Sequence, residues 1–188
     1  MRVIAGEARG RRLKPPQGRN VRPTADRVRE SLFNVLAPRL AGCAFLDLCC
    51  GSGAVGIEAL SRGAARAVFV DAAAASLRLV AENLAGTGLG ETGRHRLVRA
   101  EAARAVADLA ARGEHFDLVF IDPPYGQDLL PPVLAALAPL LAPAGWAIAE
   151  HHHRDPVPER AGGLVRFRRL TFGETVLSLY AHAPAGGA

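Results

Sequence analysis

The sequence has few cysteines, no long apolar run and no secretory leader, and each absence excludes a class of protein. Its three cysteines, Cys43, Cys49 and Cys50, are too few and too clustered for a disulfide framework. No apolar run approaches the ~20 residues that cross a bilayer. The first seven residues include the charged Arg2 and Glu7 and lack the apolar stretch of a secretory signal. With 188 residues, we expect one soluble, cytoplasmic domain with no membrane partner.

Basic residues are concentrated at one end of the chain. Residues 1–39 contain ten basic and three acidic side chains, a net charge of +7. The other 149 residues contain 13 arginines and 15 acids, so the whole basic excess lies in the first fifth of the sequence. Such clustering is typical of a surface that binds a polyanion, and a solvated charged segment is the plainer alternative. We favour polyanion binding. An arginine-rich proteome would explain why the basic residues are arginine rather than lysine, but it would not explain why their excess lies at one end of the chain.

Apolar runs alternate with helix-compatible stretches through the middle of the chain. The apolar runs are 43–49, 66–71, 95–99, 116–121 and 145–150; the helical stretches are 54–63, 73–86, 101–112 and 128–142. Such alternation predicts right-handed βαβ units and a mostly parallel sheet covered on both faces. Two further runs, 164–170 and 175–181, flank a short turn and predict an antiparallel hairpin at the sheet edge. The predicted fold is α/β with seven strands, and Trp146 is expected in its core.

A small hairpin followed by a helix is predicted before the first strand of this sheet. Residues 1–22 contain short β-prone pieces separated by glycines and prolines. From Thr24 apolar residues recur at helical spacing, and Pro38 is expected to end that helix. We therefore divide the chain into a hairpin extension (1–22), a main domain (23–183) and a frayed tail (184–188).

A glycine-rich turn joins the first strand of the alternation to the next helix. Gly51, Gly53 and Gly56 have the G-x-G-x-x-G spacing, and glycine permits a positive φ and close approach of a ligand. Asp71 ends the next strand, 20 residues after Gly51, where a carboxylate can accept bonds from two ribose hydroxyls. Together these features predict a site for a nucleoside cofactor, either a dinucleotide or S-adenosylmethionine.

Asp47 favours the second of these cofactors. It lies just before the glycine turn, where its charge would repel a pyrophosphate but suit a sulfonium amino acid. The same carboxylate can also accept N–H groups that shape the loop, and the two roles are compatible.

No metal site is predicted. Cys49 and Cys50 are adjacent and have no suitably spaced partners, so we interpret them as small packing residues. The three histidines 151–153 would alternate between the two sides of a strand, which makes it difficult for them to share one ion.

The four residues after the fourth strand, Asp122-Pro123-Pro124-Tyr125, are predicted to be catalytic. Ligands bind at the carboxyl ends of strands in an open α/β sheet. The prolines remove N–H donors, which leaves the Asp122 carboxylate and the Pro123 carbonyl to accept both hydrogens of an exocyclic amine. Holding those hydrogens out of the ring plane directs the nitrogen lone pair at an incoming methyl group, and Tyr125 offers a stacking face for the base. A rigid turn that caps a strand is the plainer alternative.

Three segments of the sequence occur in the same order in one known family. They are residues 22–34, 56–64 and 120–125, and general methyltransferases lack the first of them. On these segments the chain resembles the RsmD family of class I S-adenosylmethionine-dependent methyltransferases, which methylates N2 of a guanine in 16S ribosomal RNA. The resemblance covers most of residues 1–180.

The resemblance implies a Rossmann-like enzyme that acts on 16S rRNA in an assembled or assembling small ribosomal subunit, and we expect a monomer. The implied cofactor residues are Asp47, Gly51, Gly53, Asp71, Glu101 and Ala102, with Glu101 accepting from the adenine amine. The implied catalytic residues are Asp122, Pro123, Pro124 and Tyr125. From the charge pattern we expect RNA contacts at Arg9, Arg11, Arg12, Lys14, Arg22 and Arg27.

Three other functions are left open. DNA adenine-N6 methyltransferases also use Asp-Pro-Pro-Tyr, because an adenine amine suits the same acceptors, so only the N-terminal resemblance favours guanine in rRNA. An NAD-dependent oxidoreductase would explain the glycine spacing but neither the Asp122 motif nor the basic end. A non-catalytic RNA-binding module would leave the cofactor motifs without a purpose.

Overall fold

The computed structural model describes residues 1–16, 24–123 and 129–184. Within these residues the strands are β1 (Ala44–Leu48), β2 (Arg66–Asp71), β3 (His95–Arg99), β4 (Phe116–Ile121), β5 (Leu141–His152), β6 (Arg160–Ala161), β7 (Leu164–Phe172) and β8 (Thr175–His182). The α-helices are α1 (Thr24–Leu40), α2 (Ala54–Ser61), α3 (Ala74–Thr87), α4 (Ala102–Ala111) and α5 (Leu130–Ala136).

All eight strands form one sheet in the order β3-β2-β1-β4-β5-β8-β7-β6. Strands β1 to β5 pair in parallel, whereas β8 pairs antiparallel with β5 and with β7. The predicted α/β fold with a C-terminal antiparallel hairpin is therefore confirmed. The structure adds one strand to the predicted seven, because β6 has only two residues and pairs only with the start of β7.

Helices cover both faces of the parallel strands. Alternate strand residues point to opposite faces, so Phe45 packs among α1, α2 and α3 while its neighbour Leu46 packs among α4 and α5. Both side chains are fully buried, and each such side chain stabilises the fold by about 1.5–3 kcal/mol. The two-sided burial explains why the parallel strands appear as apolar runs in the sequence.

The N-terminal hairpin shares the core of the main domain. An antiparallel bridge joins Arg2 to Arg12, and Val3, Ala8 and Leu13 are buried in the same cluster as α1, α2 and α3. The predicted hairpin is thus present, but it is packed against the helices rather than set apart from them. The division expected at residue 22 lies outside the described residues.

Buried polar side chains of α2 and α3 hold the hairpin backbone. Glu58 has no exposed surface, and its carboxylate accepts N–H bonds from Ile4 (2.7 Å) and Ala5 (3.0 Å). Asn83 accepts the N–H of Lys14 (2.7 Å) and donates to its carbonyl (3.1 Å). These bonds fix the hairpin in place and satisfy groups that would be costly to bury alone.

Two sequence predictions about single residues are wrong. Pro38 lies in the last turn of α1, which continues to Leu40; the proline removes one helical bond there, and burial of Leu40 favours the continuation. Trp146 is half-buried and packs against the outside of the core cluster rather than within it. Its ring packs at the surface between the Arg39 guanidinium, 3.9 Å from the ring centroid, and the Phe167 ring at 4.9 Å.

The helix expected over residues 128–142 is shorter in the structure. α5 is followed by a single 3₁₀ turn, Ala138–Leu140, and β5 begins directly after it. Among the described residues, no helix combines the length and apolar character needed to cross a membrane.

Candidate active site

A cleft of about 1710 Å³ opens at the carboxyl ends of the parallel strands. The strand order reverses between β1 and β4, and such a switch point leaves room for a ligand. The cleft is more acidic than basic. Its described acidic residues are Asp47, Asp71, Glu82, Glu101, Asp122 and Glu150, and its basic ones are Lys14, Arg29 and Arg78.

The glycine turn after β1 approaches the sheet closely. Gly53 immediately precedes α2 with φ 74°, a left-handed conformation that favours glycine. A Cβ on Gly56 would lie 2.3 Å from a ring carbon of Phe69 and 3.0 Å from the Asp47 carboxylate. Only glycine fits there, so the third glycine of the motif brings α2 against β2, while Gly51 faces the cleft.

Asp47 is buried at the bottom of the glycine turn. It is 1% exposed and accepts the N–H of Gly56 at 2.9 Å. Burial raises the pKa of Asp47 to about 8, the Gly56 bond opposes the rise, and the charge of Asp71 adds to it. Asp47 therefore accepts a loop N–H, as one of its two predicted roles requires. A cation beside this carboxylate would favour its ionised form.

Asp71 connects the glycine turn to the start of α3. One carboxylate oxygen accepts the N–H of Gly51 (3.0 Å), and the other accepts the N–H of Ala73 (2.9 Å). Each oxygen of an ionised carboxylate has two lone pairs, so both can still accept a ribose hydroxyl. Asp71 lines the cleft, and its contact with ribose stays a prediction.

Glu101 and Ala102 lie where β3 passes into α4. Both line the cleft; Glu101 is exposed at the residue that precedes the helix, and Ala102 is half-buried. The N–H of Ala100 donates to the Asp71 carbonyl at 3.2 Å, which places this segment beside the end of β2. The predicted contact of Glu101 with an adenine amine is compatible with this placement.

Asp122 and Pro123 follow β4 directly. The N–H of Asp122 donates to the Leu48 carbonyl at 3.2 Å, so the chain still follows β1 at this point. The Asp122 side chain is exposed and Pro123 is buried, and both line the cleft. Pro124 and Tyr125 lie outside the described residues, so their catalytic roles stay predictions.

The half-buried Cys49 lies among the carboxylates from four different strand ends. Burial raises its pKa to about 12, with further contributions from the charges of Asp71, Asp122, Asp47 and Glu101. The thiol therefore stays protonated at neutral pH, in keeping with a packing role. The four carboxylates, predicted from separate parts of the sequence, thus line the same cleft as Cys49.

The predicted RNA-binding residues that are described have exposed side chains: Arg9, Arg11, Arg12, Lys14 and Arg27. Three of them lie on the hairpin beyond the cleft, whereas Lys14 lies on its rim, 2.9 Å from Glu82. Arg22 falls outside the described residues. The hairpin arginines are thus accessible to a polyanion beside the acidic cleft.

Sequence reasoning missed Arg29 and assigned no role to Glu150. Arg29 is 5% exposed on α1, pairs with Asp26 at 3.2 Å and donates to the Arg2 carbonyl, and burial lowers its pKa. Its position within the buried stripe of the helix was a usable signal. Glu150 reaches the cleft from β5; the sequence places it at the end of the predicted strand 145–150, near the expected cleft, without indicating a role for it.

Within the described residues no group of three or more His, Cys, Asp or Glu side chains is arranged to hold a metal ion. His151 is buried, with its Nε2 2.9 Å from the Ser178 hydroxyl and its Nδ1 2.8 Å from the His152 carbonyl. Burial lowers its pKa, so this histidine is a neutral packing residue.

Known proteins resemble this chain over nearly its whole length. The family model described as Conserved hypothetical protein 95 matches residues 1–181. Bacillus subtilis YlbH is 40% identical over 182 residues, 96% of this chain and 98% of that protein. Ribosomal RNA small subunit methyltransferase D of Escherichia coli is 40% identical over 150 residues, 80% of this chain and 71% of the relative.

The solved structure of Escherichia coli yhhF is 35% identical, with a TM-score of 0.82 and 97% of both chains covered. The resemblance found in the sequence is confirmed, and the chain belongs to the RsmD family, which the Conserved hypothetical protein 95 model describes.

Proposed function

We propose that this chain transfers the methyl group of S-adenosylmethionine to the exocyclic N2 amine of a guanine in 16S rRNA. The observation that carries the proposal is the meeting of Asp47, Asp71 and Asp122 at one cleft of a family member. The relative of this family that is 40% identical is named Ribosomal RNA small subunit methyltransferase D.

The carboxylates on the β1–β3 side of the cleft fit S-adenosylmethionine. The cofactor carries a positive charge on sulfur and on its amino group, and the buried Asp47 carboxylate offers the opposite charge in a site of low dielectric. Asp71 accepts the ribose hydroxyls, and Glu101 accepts the adenine amine. When bound, the cofactor supplies a methyl group on a positively charged sulfur, a centre that an amine lone pair can attack directly.

Asp122 and Pro123 act on the target amine. Their carboxylate and carbonyl accept its two hydrogens, which withdraws the nitrogen lone pair from the aromatic ring and directs it toward the methyl group. The contact strengthens as the nitrogen becomes tetrahedral, so it stabilises the transition state more than the ground state. The amine that results loses one proton, for which the Asp122 carboxylate is the adjacent acceptor.

The hairpin and α1 bind the RNA. Arg9, Arg11, Arg12 and Arg27 are exposed, and arginine binds phosphate with two parallel hydrogen bonds. Exposed arginines beside the cleft suit a folded RNA with phosphates near the target base. We therefore propose that the substrate is the assembled or assembling small subunit. We further propose that the enzyme acts as a monomer in the cytoplasm.

A pyrophosphate cofactor suits the cleft poorly. The carboxyl groups of Asp47, Asp71 and Glu101 line the side on which a dinucleotide would lie. An ionised Asp47 would repel the phosphates of a dinucleotide, and a protonated Asp47 offers them no countercharge. An NAD-dependent oxidoreductase is therefore disfavoured on electrostatic grounds as well as on family membership.

Transfer of a labelled methyl group tests the proposal. The purified chain is incubated with methyl-labelled S-adenosylmethionine and with small subunits, or naked 16S rRNA, from cells that lack this gene. We expect label in that RNA and none in RNA from cells that carry the gene, because the target is then already methylated. Calorimetry with S-adenosylhomocysteine and NAD provides the cofactor control. Binding of NAD alone, or transfer to DNA instead of RNA, would contradict the proposal.

A further inference from the structure

Glu150 and Asp122 follow the same pair of neighbouring strand residues. Parallel pairing of β4 with β5 aligns Ile121 with Ala149 as the last pair of the ladder, and Asp122 and Glu150 are the residues directly after it. Adjacent strands are about 4.8 Å apart. A second carboxylate is therefore located next to the one that we assign to the target amine.

Both carboxylates are on the cleft side of the sheet. Ile121 and Ala149 pack among α4 and α5, whereas Phe120 and Ile148 pack among α1, α2 and α3. Because strand side chains alternate, the residues that follow the first pair point to the same side as the second pair. Asp122 and Glu150 accordingly both line the cleft.

The backbone of Glu150 is held rigidly. β5 is paired on both sides at this level, with β4 through Ala149 and with β8 through the pair of Glu150 and the fully buried Leu177. The side chain is half-buried. A polar group on a central strand is placed more precisely than one on a loop, which suits discrimination between similar ligands.

Two adjacent carboxylates match guanine and not adenine. The Watson–Crick edge of guanine presents N1–H beside the N2 amine, so it offers adjacent donors to adjacent acceptors. In adenine the atom beside the N6 amine is N1, which is an acceptor. A carboxylate facing this atom would place two acceptors against each other, which is unfavourable. Asp122 alone makes no such distinction, since either base has an exocyclic amine.

We propose that Glu150 selects guanine by accepting the N1–H while Asp122 and Pro123 accept the hydrogens of N2. This inference rests on the proposed function and adds to it the residue that determines the base. A site built to bond a particular donor discriminates strongly against an analogue that presents an acceptor in its place, because the carboxylate oxygen and the ring-nitrogen lone pair repel each other.

The test replaces the target guanine by 2-aminopurine, after mass mapping has located the methylated nucleotide. 2-Aminopurine keeps the N2 amine but presents an acceptor at N1. We expect the wild-type enzyme to methylate the guanine RNA at least ~100-fold more efficiently. In Glu150→Gln the new amide can donate to N1 of 2-aminopurine, so this preference should fall at least tenfold, with unchanged binding of S-adenosylhomocysteine.

Glu82→Gln is the matched control, because Glu82 is another cleft carboxylate but lies on α3. This variant should keep the wild-type ratio of the two substrates, and thermal denaturation establishes that both variants are folded. If Glu150→Gln slows both substrates equally, or changes neither, the inference is wrong while the proposed function stands. If wild-type enzyme fails to methylate the guanine RNA, the proposed function and this inference both fail.

Discussion

The acidic cleft and the basic hairpin differ in which atoms are held in place. In the cleft, backbone N–H groups hold the carboxylates themselves: Gly56 bonds Asp47, and Gly51 and Ala73 bond Asp71. In the hairpin, buried side chains such as Glu58 hold the backbone, and the arginine side chains are exposed.

This difference suits two kinds of ligand. Carboxylates in fixed positions complement one small molecule of fixed shape, and their preorganisation avoids reordering when it binds. Exposed arginines on a fixed backbone can adjust to phosphates of varying position while remaining near the cleft. The regions should therefore respond differently to substitution, although they share one hydrophobic core.

Removal of residues 1–16 should have the largest effect, and it should act on stability. The truncation exposes the apolar surface that Val3 and Leu13 cover, at about 1.5–3 kcal/mol for each buried side chain, and leaves the buried Glu58 without two of its donors. We expect a loss of several kcal/mol in the free energy of unfolding, measured by urea denaturation. A truncated chain as stable as the full one would show that the hairpin is a detachable arm.

Asp122→Ala should abolish most turnover but not cofactor binding. Loss of a preorganised contact to the reacting group commonly costs ~10²-fold or more in kcat. The check is kcat from single-turnover methyl transfer together with the Kd of S-adenosylhomocysteine. A variant that keeps more than about a tenth of the wild-type kcat would remove Asp122 from the chemistry.

Asp71→Ala should act on the cofactor. Loss of charge-assisted hydrogen bonds to the ribose should weaken cofactor binding by ~1.5–3 kcal/mol, measured by calorimetry. Asp71→Asn retains one acceptor oxygen for the loop and serves as the matched control, with a smaller loss. Equal affinity in Asp71→Ala and wild type would mean that the residue only shapes the glycine turn.

Neutralising Arg9, Arg11 and Arg12 together, each to Gln, should weaken RNA binding and leave the cofactor Kd and the stability nearly unchanged. Each lost phosphate contact should reduce the slope of log K against log salt by ~0.7–0.9, or about two to three units for three contacts. Titrations of 16S rRNA at several salt concentrations provide the slope. An unchanged slope would identify the hairpin charges as solvating groups, without affecting the assignment of Asp122.

The pH dependence of cofactor binding should depend on Asp47. Its folded pKa is raised from 3.8 to about 8, so between these pH values the ligand-free protein holds a proton that the unfolded chain does not. This group's contribution to stability therefore falls as pH rises toward 8, and a cationic ligand must displace the proton. Cofactor affinity should rise with pH up to about 8, by at most tenfold per pH unit.

Asp47→Asn is the matched control for this titration, because its amide oxygen can still accept the Gly56 N–H. The variant should bind the cofactor more weakly and lose the part of the pH dependence that Asp47 provides. Calorimetry in buffers of different ionisation enthalpy measures the proton released. Equal proton release from wild type and variant would mean that Asp47 does not titrate on binding.

Local patterns predicted the parallel half of the fold, because its strands are buried on both faces and each is followed by a helix. The two-residue β6 was too short to produce a pattern, and the continuation of α1 past Pro38 depends on packing of Leu40. The surface position of Trp146 depends on Arg39 and Phe167, which are distant in the sequence.

The candidate site likewise contains residues that local patterns predict and residues whose position depends on distant contacts. Asp47 and Asp122 lie beside turns that the sequence marks with glycine or proline, and Asp71 ends an apolar strand run, so their meeting could be predicted. The burial of Val3 and Leu13 depends on helices far along the chain. The strand pattern places Glu150 near the cleft, but its alignment with the end of β4 depends on the register of β4 with β5, which no local pattern contains.

The chemical identity of the methylated nucleoside distinguishes guanine N2 from any other target. Small-subunit RNA from cells lacking the gene is treated with the purified enzyme and S-adenosylmethionine, digested to nucleosides and analysed by mass spectrometry against standards. We expect one new product, N2-methylguanosine, which is absent when Asp122→Ala replaces the wild-type enzyme. N6-methyladenosine, or no methylated nucleoside at all, would contradict this expectation.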